Sequence, residues 1–352
     1  METDCFIYFN VSSTLKILRG NETMKAIIHQ YKKGLEGLEY KILSESTPNA
    51  GEVKVKLKAA GVNHRDLFII NNRKEMDIPL VIGSDGSGIV TEIGEGVSNT
   101  SLHTEVIINP SIGWDSIANV PELPEVLGGP KDGTFAEYVI VPAENVVEKP
   151  SYLTWEESGV LSLSALTAYR ALFTKGRLKC GEHVLIPGIS GGVATFSMLF
   201  AKAIGAKVSV TSRSENKRVI AEKYGADCSF NSSGNWEESL QGEKVDLIID
   251  SIGPATFLKY FDVLKPNGRI VNFGASSGDK IELPLRALFY NQIDIMGTSM
   301  GSREEFNEMI QFIKKHKIKP IMDKSFSLEE AVQALNRMEQ GEQFGNIALR
   351  ME

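Results

Sequence analysis

Val184-Leu-Ile-Pro-Gly188-Ile-Ser190-Gly191-Gly192-Val193-Ala194, continued by the apolar stretch Thr195 to Ala203, joins a strand, a glycine turn and the start of a helix. A turn this tight brings backbone N–H groups against a pyrophosphate, whose charge then meets the positive end of the helix. Gly188, Gly191 and Ala194 are the three small positions of a relaxed G-x-x-G-x-x-A, a spacing that ordinary turns share. Context narrows the choice. The turn Ile204-Gly205-Ala206 leads to a second apolar strand, Lys207-Val-Ser-Val-Thr-Ser212, so 184 to 212 reads as one β-α-β unit. The stretch predicts a dinucleotide-binding domain.

The residues after that second strand bear on which dinucleotide. An acidic side chain there would accept hydrogen bonds from both ribose hydroxyls and repel a 2′-phosphate. Thr211-Ser212-Arg213-Ser214 instead offers hydroxyls and a guanidinium, with Lys217 close behind, a set suited to a phosphate dianion. NADPH is therefore expected over NADH. Against this, Arg213, Lys217 and Arg218 also fit the solvated face of a helix starting near Glu215, Arg218 more easily than Arg213.

A chain of 352 residues has room for two domains. Its net charge of -7, with the basic residues scattered, offers no face for nucleic acid. The three cysteines, Cys5, Cys180 and Cys228, are far apart and form no C-x-x-C pair, so neither a disulfide framework nor a thiolate metal site is expected, and a reducing cytoplasm fits. No apolar run approaches a membrane span, and Glu2 and Asp4 stand where a signal peptide would carry positive charge. The first 23 residues show no continuing pattern, while Met24-Lys-Ala-Ile-Ile-His-Gln30 starts abruptly as a strand. Residues 1–23 are expected to be a non-native or disordered extension, with translation beginning at Met24.

From Met24 to about Pro150 short strands alternate with turns, as in Glu52-Val-Lys-Val-Lys-Leu-Lys58, and Pro110 to Gly133 reads as a long lobe. From about Thr154 helices and strands alternate, which builds a parallel sheet covered on both faces. There is no internal repeat. The C-terminal segment is too short for a core of its own and is expected to rejoin the first domain.

The order of motifs is specific. Ala60-Gly-Val-Asn-His-Arg-Asp66, Pro79-Leu-Val-Ile-Gly-Ser-Asp-Gly-Ser-Gly88, Gly133-Thr-Phe-Ala-Glu-Tyr138, Thr167-Ala-Tyr169, the glycine loop, Tyr224-Gly-Ala-Asp227, Asp250-Ser-Ile-Gly253 and Leu264-Lys-Pro-Asn-Gly-Arg269 follow one another. In this order the chain from Met24 onward resembles the medium-chain dehydrogenase/reductase superfamily, nearest its zinc-free quinone oxidoreductase-like branch. The resemblance implies an α/β fold: a Rossmann doubly wound parallel sheet at 154–299 and a GroES-like β-rich substrate domain made of 24–153 and 300–352. It also implies a homodimer that pairs edge strands near Ile281 to Met296.

Zinc enzymes of that superfamily hold their catalytic metal through a Cys in a segment like Gly61 to Asp66, a His in one like Gly83 to Asp85, and a thiolate or carboxylate ahead of Thr-Ala-Tyr. Here Asn63, Ser84 and Leu163 stand at those places, and the lobe Pro110 to Gly133 has no cysteine for a structural zinc. No zinc is expected. Of the five histidines, His29, His103, His183 and His316 read as surface or turn residues; His64 adjoins Asn63, with Asp66 and Asp85 nearby.

The catalytic candidates are Asn63, which matches the branch and offers an amide donor, His64 as proton donor, and Asp66 to fix orientation. The Tyr that quinone reductases often carry five positions after this Asn is Phe68 here, which leaves water as an equal proton source. For the cofactor the candidates are Gly188, Ser190, Gly191, Gly192, Val193, Ser212, Arg213 and Lys217. By resemblance, Thr167, Thr298 and Met300 flank the nicotinamide, Ser251 and Ile252 lie near the adenosine, and Gly274 and Ala275 lie under the nicotinamide ribose. Gly345-Asn346 stands where relatives read Gly-Lys, and His103-Thr104 replaces a Gly-Asp turn. The function expected is NADPH-dependent, zinc-independent hydride transfer to a small electrophile, a quinone or enone. Two alternatives stay open: an alcohol or aldehyde oxidoreductase with a remodelled metal site, and a redox sensor that binds NADPH without turnover.

Overall fold

In the computed structural model, which describes residues 22–351, alternating apolar and charged residues organise the first part of the chain. Its strands are β1 (Thr23–His29), β2 (Leu38–Ser44), β3 (Glu52–Val62), β4 (Leu80–Val81), β5 (Asp85–Ile93), β6 (Glu105–Ile108), β7 (Ser111–Ile112), β8 (Glu125–Val126), β9 (Tyr138–Pro142) and β10 (Val146–Glu148). Helix α1 (His64–Asn72) follows β3, and α2 (Trp155–Gly159) and α3 (Ser162–Tyr169) follow β10. Successive strand residues face opposite sides, so Val53, Val55 and Leu57 of β3 turn together into a core shared with Ile27, Ile82, Val90 and Phe135. β1 begins at Thr23, paired with Ser44, so the strand takes in the last residue of the expected extension. Glu22 precedes it, and residues 1–21 of that extension lie outside the described residues.

The chain then alternates: β11 (His183–Ile186), α4 (Gly192–Ala203), β12 (Lys207–Thr211), α5 (Glu215–Lys223), β13 (Cys228–Phe230), α6 (Trp236–Ser239), β14 (Val245–Asp250), α7 (Pro254–Val263), β15 (Leu264–Asn272), α8 (Leu285–Tyr290), β16 (Asp294–Gly297) and α9 (Arg303–His316). The six strands are parallel, in the order β13-β12-β11-β14-β15-β16. The order reverses between β11 and β14, and a reversal of this kind opens a crevice at the carboxyl ends of the strands. The glycine turn follows β11 and therefore lies on that crevice.

The last elements are β17 (Met322–Ser327), α10 (Ala331–Glu339) and β18 (Asn346–Arg350). β18 pairs with β3 and β17, so the C-terminal strands complete a seven-stranded sheet of the first domain. The boundary expected at residue 300 moves, however. Phe306, Met309, Ile310 and Ile313 form one stripe of α9 and are buried in the same core as Phe196, Phe200 and Val208 of the parallel-sheet domain. A buried ion pair fixes the helix entry: Arg170 Nη1 lies 2.6 Å from Glu305 Oε2, and the guanidinium stands over the Trp114 ring. The chain thus returns to the substrate domain only at β17.

Two histidines expected at the surface are buried instead. His29 Nε2 is 3.1 Å from Gly34 O, while its Nδ1 is buried without a partner, and His183 Nε2 is 2.8 Å from Ser209 Oγ. His103 adopts φ +68°, so the turn keeps a left-handed position without glycine. No helix among the described residues is long and apolar enough to cross a membrane. Glu305→Ala would leave the Arg170 charge buried and unpaired; urea denaturation should show a loss of about 3–5 kcal/mol.

Candidate functional site

The glycine loop is shaped by its neighbours. Thr211, at the end of β12, accepts Ile189 N at its carbonyl (2.9 Å) and Gly188 N at its hydroxyl (3.3 Å). Gly188 takes φ +73°, and a Cβ there would stand 2.7 Å from Ile252 Cδ1; one on Gly192 would stand 2.5 Å from both Ser164 Oγ and Asn346 Oδ1. Only glycine fits at either place. Gly188, Ser190, Gly191, Gly192 and Val193 remain half-exposed on the crevice, whereas α4 beyond them is largely buried. The first N–H groups of α4 have no partner within the helix, and they meet the positive end of its dipole.

Around this loop the other cofactor candidates gather. Asp250 Oδ1 accepts Ile252 N (2.8 Å) and Gly253 N (3.1 Å), which turns Ser251 and Ile252 over the end of β14. Gly274 packs on Ser251, its Cα so near that a Cβ would stand 3.1 Å from Ser251 O, and Ala275 follows it into the open. Thr298 is held by its N–H to Asn272 O, while its Oγ1 is buried with no partner, an orphaned hydroxyl at the crevice. Met300 is buried at φ +51°, a strained conformation for a residue with a side chain. Thr167 Oγ1 donates to Leu163 O at 2.8 Å. Unfilled helix N–H groups, a glycine cradle and an orphaned hydroxyl fit a dinucleotide.

Ser212, Arg213 and Lys217 follow β12, but they differ in state. Ser212 is buried, its hydroxyl accepting Ser214 N and its carbonyl receiving Arg218 Nη1. Arg213 is exposed. Lys217 Nζ donates to Gly341 O of the substrate domain at 2.7 Å, and burial, opposed by Asp323, lowers its pKa. A second tie crosses the same gap: Gly345 N donates to Ser190 O at 2.8 Å. Asn346, where a lysine was the comparison, lays its amide against Gly192 and donates Nδ2 to Ile321 O.

The three catalytic candidates are placed differently from the sequence expectation. Asn63 Nδ2 donates to Asp85 Oδ2 at 3.0 Å and, more weakly, to Gly61 O at 3.4 Å, while its Oδ1 accepts Ser164 Oγ at 3.1 Å. Its amide has no N–H left for a substrate. Asp66 is buried, and its Oδ2 accepts Asn63 N at 2.7 Å, so it caps α1 and cannot touch a substrate. His64 is open to the crevice, with Cε1 3.9 Å from the place of a Gly191 Cβ, so it overlooks the glycine loop. Surrounding protein lowers its pKa from the ordinary imidazole value, with Lys217 acting in the same direction.

Asp85 is the residue that the sequence pointed to least clearly. It is fully buried at the start of β5, where its Oδ1 accepts Leu163 N at 2.7 Å and its Oδ2 accepts Asn63. An acid inside a strand is unusual and was the available signal. Asn63, Ser84-Asp85 and Leu163-Ser164 are thus joined by hydrogen bonds at the places where a metal would join its ligands. The Ser84 hydroxyl donates to Leu127 O at 2.8 Å, and Leu163 packs with Trp114, Val126 and Met300. An amide, a committed hydroxyl and an alkyl side chain do not fit zinc, and no three His, Cys, Asp or Glu side chains cluster as a metal site among the described residues.

Burial raises Asp85 from its ordinary 3.8 to about 7, against the pull of Asn63 and Leu163 N–H, and burial likewise raises Asp66 to about 7. A carboxyl raised by folding favours the fold fully below its unfolded pKa, and that contribution is lost as pH rises through the folded value. Wild type should therefore lose stability relative to Asp85→Asn between pH 5 and 7, by about 1.4 kcal/mol per pH unit. Parallel denaturation curves would show that Asp85 does not titrate in this window.

Comparisons with known proteins agree with the two-domain fold. A family model described as alcohol dehydrogenase GroES-like domain matches residues 49–151, and one described as zinc-binding dehydrogenase matches 192–315. The zinc-type alcohol dehydrogenase-like protein YogA of Leptosphaeria maculans is 34% identical over 342 residues, 89% of this chain and 94% of its own. The acryloyl-coenzyme A reductase of Metallosphaera sedula is 28% identical, over 93% of this chain and 99% of its own. A crystal structure of an NAD-dependent alcohol dehydrogenase superposes with a TM-score of 0.87 at 32% identity, covering 93% of this chain and all of that one. With its parallel-sheet domain, its β-rich partner domain and the dinucleotide crevice between them, the chain belongs to the medium-chain dehydrogenase/reductase superfamily and is an NAD(P)-dependent oxidoreductase.

Proposed function

We propose that this protein is an NADPH-dependent, zinc-independent reductase of a quinone, an enone or a related carbonyl acceptor. The observation that carries this reading is the hydrogen-bonded set Asn63-Asp85-Leu163-Ser164, which uses up the groups at the metal-ligand positions. Some relatives carry zinc-type names, while in this chain Asn63, Ser84 and Leu163 stand at the positions where the family resemblance implies zinc ligands. The acryloyl-coenzyme A reductase among the relatives acts on a conjugated thioester, the same electronic class of acceptor.

Bound in the crevice, NADPH supplies a hydride. The residues around it bind and orient. N–H groups of Ser190 to Val193 would receive the pyrophosphate at the α4 dipole, with the His64 ring beside Gly191. Arg213 has the freedom to meet a 2′-phosphate, and the Lys217 ammonium, within its field, supports the same charge. Ser251 and Ile252 take the adenosine side and Gly274 and Ala275 the other ribose. Thr298 Oγ1, without a partner in the fold, is available to the nicotinamide, flanked by Thr167 and Met300. Since the side chains of Asn63 and Asp66 are committed within the fold, water in the crevice supplies the proton that completes reduction. An electron-poor acceptor suits this site, because its developing charge is spread onto an oxygen that N–H donors can serve.

The free edge of β16 suggests the oligomer. Among the described residues β16 pairs only with β15, and Leu285, Phe289, Tyr290 and Ile295 are exposed. A second copy pairing there would cover both the edge and the apolar side chains, and a reducing cytoplasm is the compartment proposed.

NADPH absorbance, followed with metal-stripped protein, 1,4-benzoquinone, methyl vinyl ketone and simple aldehydes, tests the activity. Turnover of quinone or enone is expected, faster with NADPH than NADH; Arg213→Ala should raise the NADPH KM roughly 10-fold and leave the NADH value unchanged. Turnover of aldehydes alone, and only with zinc restored, would contradict the reading; tight NADPH binding with no acceptor reduced would point to a sensor. Light scattering should give twice the chain mass of 38.7 kDa, and a monomer would refute pairing through β16.

A further inference from the structure

Arg65 stands on α1 immediately after His64, and its guanidinium reaches toward the lobe. Nη2 donates to Gly129 O at 2.6 Å, and Nη1 lies 3.4 Å from both Leu127 O and Ser84 Oγ. Every one of these partners is a neutral oxygen. Among the described residues no carboxylate forms an ion pair with Arg65, although Asp66 is its neighbour in sequence: that carboxyl turns inward to cap the helix. A guanidinium carries five N–H donors, so three contacts leave two without an acceptor.

The surroundings make this cation consequential. Burial disfavours its charge and the Asp66 carboxyl favours it from a distance, yet a guanidinium does not deprotonate in a protein, so the charge stays without a carboxylate in direct contact. Trp114, Val126, Leu163 and Met300 form an apolar cluster, and Val126 leads directly into Leu127, so the cluster and the guanidinium meet on one segment. Leu163 of that cluster is tied to the nicotinamide candidate Thr167, whose Oγ1 donates to Leu163 O at 2.8 Å, and Met300 follows Thr298 by two residues. Beside apolar walls a charge acts more strongly on a nearby anion than it does in water.

We infer that the Arg65 guanidinium binds the acceptor oxygen of the substrate and takes up the negative charge that develops there. The inference rests on the reductase reading above. In the step concerned, the hydride forms a C–H bond at the electrophilic carbon and NADPH becomes NADP+. The π pair of the acceptor moves onto its oxygen, which the Arg65 N–H groups hold as an enolate or phenolate-type anion. Water then supplies the proton, on the α-carbon for an enone; for a quinone it protonates the oxygen, and loss of the ring-carbon proton with protonation of the second oxygen gives the hydroquinone. The acceptor gains two electrons and two hydrogens, and no further oxidant or reductant is needed.

Three variants and one optical probe test this. With metal-stripped protein, NADPH and methyl vinyl ketone, Arg65→Gln should lower kcat at least about 100-fold, as the loss of an oxyanion donor does, while the NADPH Kd stays within about 2-fold. Arg65→Lys keeps the charge and should recover part of the loss. Independently of turnover, 4-nitrophenol bound to the NADP+ complex should ionise at a lower pH than free in solution with wild type, and at its free value with Arg65→Gln. A nitrophenol titration that is the same in both proteins would overturn the inference, as would a kcat for Arg65→Gln within about 3-fold of wild type. If Arg65→Gln loses NADPH binding and Arg65→Lys shows the free nitrophenol titration, the side chain is a clamp on Leu127–Gly129 and the inference falls. Wild-type turnover that appears only with zinc would defeat the reductase reading alone, since the nitrophenol titration still decides for or against the guanidinium.

Discussion

A single buried hydrogen-bond cluster ties the two domains together beside the chemistry. Asp85 accepts from Asn63 on one oxygen and from Leu163 N on the other, and Asn63 accepts from Ser164 in turn. These bonds fasten the N-terminus of α1 and the start of β5, both in the substrate domain, to α3, which carries the cofactor domain's core. Where related enzymes are implied to use a metal for this cross-link, an amide and a carboxyl serve here. All of the polar groups involved are satisfied, which is the condition for burying them. Removing any member leaves a buried donor or acceptor without a partner.

The consequences extend outward from that cluster. Ser164, fixed by Asn63, stands against Gly192, so the position of α3 limits the space in front of α4 and enforces glycine there. From the other side Gly345 and Asn346 close on Ser190 and Gly192, and Lys217 reaches Gly341. The glycine loop is therefore framed by both domains. Cofactor binding and domain position are coupled by these contacts, because the cofactor must enter where the domains touch.

Much of this was legible in the sequence, and the reason is local. The strand, glycine turn and helix at 184–203, the β-α-β length and the alternation in 52–58 are short-range patterns that one segment must satisfy by itself. Gly188 and Gly192 could be singled out because each needs a conformation or a clearance that side chains deny. The misplacements concern contacts across long separations. Asn63 looked like a free amide because Asp85 and Ser164, 22 and 101 positions away, are its partners only in the fold. The place of His64, read as a proton donor, beside Gly191 was likewise not visible in the sequence. The amphipathic stripe of α9 predicts burial correctly but does not say against which domain, and the boundary at residue 300 failed for that reason.

Chemistry without a metal is the claim on which the account turns, and elemental analysis of active protein purified without chelators tests it most directly. The account predicts zinc far below one atom per chain, with turnover of quinone or enone unchanged after dialysis against a chelator. About one zinc per chain, whose removal abolishes turnover and whose return restores it, would contradict it.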